Sequence, residues 1–102
     1  MSKHYTRAGR GSALFIPDEL GYLTQAENRI ALGILGQYTS EHDRIEKAIQ
    51  SLEEALRASN LSQAEQTRLE SQLHTLREIR QDLLDTVQQE ILVAIRLHRA
   101  AK

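Results

Sequence analysis

Apolar residues recur at intervals of three and four from Ala31 to Leu56, and again from Leu69 to Ala101. In the first run Ala31, Tyr38, Ile45 and Leu52 stand seven apart, with Ile34, Ala48 and Ala55 three residues after Ala31, Ile45 and Leu52. Leu35, Ile49 and Leu56 widen that stripe to one side, as in a helix that packs in a bundle rather than along a bare two-stranded seam. The second run is carried by Leu69, Leu73, Leu76, Leu83, Val87, Ala94, Leu97 and Ala101. Arg80 and Glu90 fall where that series calls for apolar residues. Two explanations compete. The charges form a buried polar layer, which is costly unless fully paired, or the stripe rotates so that Ile79, Leu84 and Ile91 pack and both charges stay at its edge. The second is favoured.

Each run has its own start signal. Thr24-Gln25-Ala26-Glu27 and Ser62-Gln63-Ala64-Glu65 are capping boxes, in which the hydroxyl accepts from the backbone of the glutamate and the carboxylate reaches back. Leu precedes both boxes, yet the downstream patterns agree only as two amphipathic helices would, so a shared solution to capping explains the echo better than duplication. The polar stretch Ser59-Asn60-Leu61-Ser62-Gln63 separates the runs. The heptads remain in phase across it, with Ser59, Ser62 and Gln66 at core positions. One continuous helix in a parallel dimer is therefore a competitor to a hairpin. The Ser62 cap, the three polar core positions and Asn60, a residue that tolerates the left-handed conformation at a helix end, favour the hairpin.

Residues 1–12 contain Gly9, Gly11 and scattered bases without periodicity, and read as a flexible arm. Ala13, Leu14, Phe15 and Ile16 form an apolar cluster ended by Pro17. A short helix over residues 17–22, with Asp18 and Glu19 at its positive end and a weak point at Gly21, follows from the preference of proline for a first helical turn. The expected architecture is all-α. It comprises the arm (1–12) and a helical hairpin domain (13–102) with helices over about 17–22, 25–58 and 63–100. The hairpin is coiled-coil-like and antiparallel. Two helices cannot enclose a core alone, so dimerisation into a four-helix bundle is expected.

A hairpin folded symmetrically about Asn60 and Leu61 sets residues 30–35 beside 86–91, and 92–97 beside the chain near Thr24. That end is the more apolar one. Ile91-Leu92-Val93-Ala94-Ile95 is apolar all round, which for a helix means burial on more than one side. Gly33 and Gly36, each costing a helix about 1 kcal/mol relative to Ala, are read as permitting close backbone approach there. The surface should be covered by residues 13–23, by a second subunit, or by both. The expected interface comprises Ile30, Leu32, Ile34, Leu35, Ile91, Leu92 and Ile95, joined or covered by Phe15, Leu20 and Tyr22.

Composition adds exclusions. The chain has no cysteine, which removes disulfides, thiolate catalysis and Cys-based zinc sites. No apolar run reaches the length of a membrane span and no apolar signal segment opens the chain, so the cytoplasm is the expected compartment. The net charge of −1 is unevenly spread. Residues 1–16 carry Lys3, Arg7 and Arg10 without an acid, and Arg96, Arg99 and Lys102 crowd the other end. With Tyr5, these residues form a candidate nucleic-acid contact of the phosphate-tracking kind. The net charge and the lack of a reader element argue against a dedicated binder.

Candidate chemistry is thin. His42-Asp43 resembles the histidine–acid pair on which sensor-kinase hairpins carry phosphate, but no proline follows within a turn and no ATP-binding domain is present. A ring packed at the edge of the stripe is the simpler reading. Glu70, His74 and Glu78 share one helical face by their i,i+4 spacing, a common chance arrangement without the Glu-x-x-His pairs of bundle metal sites. No catalytic, cofactor or metal residue is assigned, and no small-molecule substrate or membrane partner is expected. The sequence points to a non-enzymatic protein–protein interaction module, a small adaptor, inhibitor or chaperone-like factor that docks helices through its apolar end. Its expected partners are itself and another protein; a small nucleic-acid-binding accessory protein is the alternative.

Overall fold

A computed structural model describes residues 15–58 and 60–101. The arm with Lys3, Tyr5, Arg7 and Arg10, the residues Ala13, Leu14 and Ser59, and Lys102 lie outside them. The described secondary structure is helical: a 3-10 turn Asp18–Leu20, then α1 (Gln25–Leu56) and α2 (Gln63–Ala100). The two long helices pack against each other in antiparallel sense. The continuous helix is thereby ruled out.

Both capping boxes form. The Thr24 amide donates to Glu27 Oε1 at 3.0 Å, and the Glu27 amide donates to Thr24 Oγ1 at 3.2 Å. Ser62 and Glu65 repeat the exchange at 2.9 and 3.1 Å. Two orphan amides at each helix start are satisfied in this way. The end of α1 tightens instead, through i to i−3 bonds from Arg57 and Ala58, and it stops two residues short of the expected position 58. Asn60 does not take the left-handed conformation. Among the described residues only Gly21 has positive φ, at +66°. That glycine ends the 3-10 turn, so the expected short helix is a single turn from Asp18, with Pro17 before it at ψ 133°.

The chain divides into two compact units, Ser40–Leu83 and the flanking chain up to Thr39 with that from Leu84 onward. In the first, Ile45, Ile49, Leu73 and Leu83 are buried, with Leu52, Leu56, Leu69 and Leu76 half-buried around them. Arg80 Nη1 meets Glu46 Oε1 at 2.8 Å and Arg77 Nη2 meets Glu53 Oε2 at 3.0 Å. Symmetrical folding about Asn60 and Leu61 would have put Thr75 opposite Glu46 and Arg68 opposite Glu53. The pairing is thus displaced by more than one helical turn of about 3.6 residues. Residues 62–68 are all exposed, so the opening turns of α2 run on without cover from α1. Arg80 stays at the edge of the stripe, as favoured, but Ile79 is exposed rather than packed.

In the other unit α1, α2 and residues 15–23 build a three-element core. Phe15, Ile16, Leu20 and Leu23 are buried together with Ala31, Leu35, Val87, Ile91, Leu92 and Ile95. Val87, Ile91 and Ile95 are fully buried, each worth about 1.5–3 kcal/mol of transfer free energy. The expected core positions Ala94, Leu97 and Ala101 are not at its centre: Ala94 is half-buried, and Leu97 and Ala101 are exposed. An α-helix turns every 3.6 residues, so a straight helix drifts away from a seven-residue series. By this end of α2 the inward positions have moved to Ile91 and Ile95.

Candidate docking surface

Residues 15–23 cover one side of the helix pair. Their line along α2 is marked by Gln88 and Leu92, which adjoin Pro17 and Glu19 in a shallow cleft, and by Arg96 and Arg99. Arg96 Nη2 reaches Glu19 at 3.5 Å, with both side chains mostly exposed. Arg99 is bound more firmly. Its Nε donates to Glu27 Oε2 at 2.7 Å, its Nη2 donates to Glu27 Oε1 at 3.2 Å, and the same Nη2 donates to the Leu20 carbonyl at 3.0 Å. Glu27 is only 2% exposed, so its carboxylate is held by a forked guanidinium and by the Thr24 amide in a site shielded from water. One arginine therefore ties together the start of α1, the end of α2 and the segment laid across them.

The opposite side of the pair is different. There a shallow, open groove runs along α2, lined by Asp85, Thr86, Gln89, Glu90, Val93, Ala94 and Leu97, with Ile34 of α1 at its edge. Val93 is 45% exposed and Leu97 66% exposed, while Ile34 and Ala94 are half-buried. The Tyr38 hydroxyl donates to Glu90 Oε2 across the helix pair, so the second charge in the stripe is also an edge group with a partner on α1. Gly33, two residues and about 200° from the fully buried Ala31, lies on the outer face of α1. A methyl group added at Gly33 or Gly36 would meet nothing within 4 Å. The close approach expected of these glycines is not made among the described residues.

The expected interface residues are distributed among three environments. Phe15, Leu20, Leu35, Ile91, Leu92 and Ile95 are interior, under or within the covering segment. Ile30 and Ile34 are half-buried on the groove side. Leu32 and Tyr22 are exposed, and Leu32, two residues and about 200° from Ile34, points away from the groove. Val93, Ala94 and Leu97 stand in place of the interior set on the accessible surface. The all-round apolar run from Ile91 signalled two buried sides, but not which of them the preceding segment would occupy.

Of the basic residues grouped as a nucleic-acid contact, Arg96 and Arg99 are turned to carboxylates of the same chain. His42 is half-buried at the edge of the stripe. His74 Nε2 lies 3.6 Å from Glu78 on an exposed face, and no three metal-binding side chains converge among the described residues. No helix among those residues is long and apolar enough to cross a membrane. Comparison with protein-family models, curated proteins and solved structures gives no match.

Proposed function

We propose that this chain is a non-enzymatic protein–protein interaction module, a cytoplasmic adaptor, inhibitor or chaperone-like factor that docks a helix into the groove of Ile34, Val93 and Leu97. The observation that carries the reading is the contrast between the two sides of one helix pair. One side is covered by residues 15–23 and fixed by a forked ion pair on the buried Glu27 carboxylate; the other keeps large apolar side chains in contact with water. A groove between two helices, with apolar anchors at intervals of three and four, is the geometry in which an amphipathic helix is recognised. The dimeric four-helix bundle expected from the sequence belongs to this reading, since a helix pair from another chain completes the layer that the groove lacks.

Capture from an extract of the source cell tests the reading. Wild-type chain and Leu97→Glu are immobilised in parallel, with Tyr22→Glu as an exposed control away from the groove. Retention of the same protein by wild type and Tyr22→Glu, and its loss with Leu97→Glu, is the expected result. Capture that is indifferent to Leu97 removes the groove from the function.

A further inference from the structure

We draw no further inference here: the strongest candidate, the open apolar groove of Val93, Ala94 and Leu97 along α2, belongs to the surface already described, and nothing in the structure shows what covers it.

Discussion

Arg99 holds Glu27 through two nitrogens, at 2.7 and 3.2 Å, and uses one of them to hold the Leu20 carbonyl as well. Removing the arginine takes both guanidinium bonds from a carboxylate that is almost wholly buried. Arg99 itself is 39% exposed, so Arg99→Ala should cost about 1–3 kcal/mol of unfolding free energy, the range for depriving one buried polar group of its partner. Arg77→Ala, which breaks an exposed pair, should cost less than about 1 kcal/mol. Urea unfolding of the two variants measures the difference. Equal losses would mean that the Arg99 contact carries no more than a surface ion pair.

Ile91 and Leu97 are six residues apart on one helix and should respond very differently to truncation. Ile91→Ala opens a cavity in a fully buried position and should destabilise by about 2–5 kcal/mol. Leu97→Ala touches a largely exposed side chain and should change the stability of one copy by no more than about 0.5 kcal/mol. Dilute thermal melts, where association is absent, make the comparison. For the same reason Ile91→Glu, which the sequence suggests as an interface probe, should unfold this unit rather than separate two subunits.

The three described glycines make a graded set. Gly36→Ala meets no obstacle and should stabilise the helix by about 0.5–1 kcal/mol. Gly33→Ala should do the same, since its added methyl group also meets open space. Gly21→Ala should instead destabilise by about 1–2 kcal/mol, since φ of +66° is strained for a side chain of L configuration. Melting temperatures of the three variants make the comparison.

Glu65 predicts an acid dependence. The backbone amide of Ser62, helped by its hydroxyl, holds the Glu65 carboxyl below its ordinary value of 4.5. A depressed folded value means that the cap's contribution is complete above about pH 4.5 and is lost as the pH falls through the lower folded value. Glu65→Gln should therefore be less stable than wild type at pH 7, with the gap closing in acid. A gap that persists unchanged at pH 2 would contradict the assignment.

Local chemistry was the legible part of this fold. The capping boxes at Thr24 and Ser62 could be read because each bond joins residues three apart. The turn between the helices could be read because Ser62 starts a new one. Register was less accessible. Nothing local in residues 57–62 says that Glu46 will meet Arg80 instead of a residue near Thr75, since the offset is set by packing along the whole stripe. Glu27 shows the same division. Its reach back to Thr24 is written in the capping box, whereas its bond to Arg99 depends on the hairpin already being formed. The groove was half legible. The apolar run around Val93 demands two partners, and only the path of residues 15–23 decides which side is satisfied within the chain.

Val93 faces water in a single copy, and a docked helix would cover it. The reaction rate of a thiol at Val93→Cys, followed over a thousandfold range of protein concentration, tests it most directly. Rapid labelling is expected in dilute solution, with slowing of at least tenfold at high concentration, and Leu92→Cys should react slowly throughout because that position lies in the interior. Labelling at position 93 that is as slow as at 92 in dilute solution, or that does not change with concentration, would contradict it.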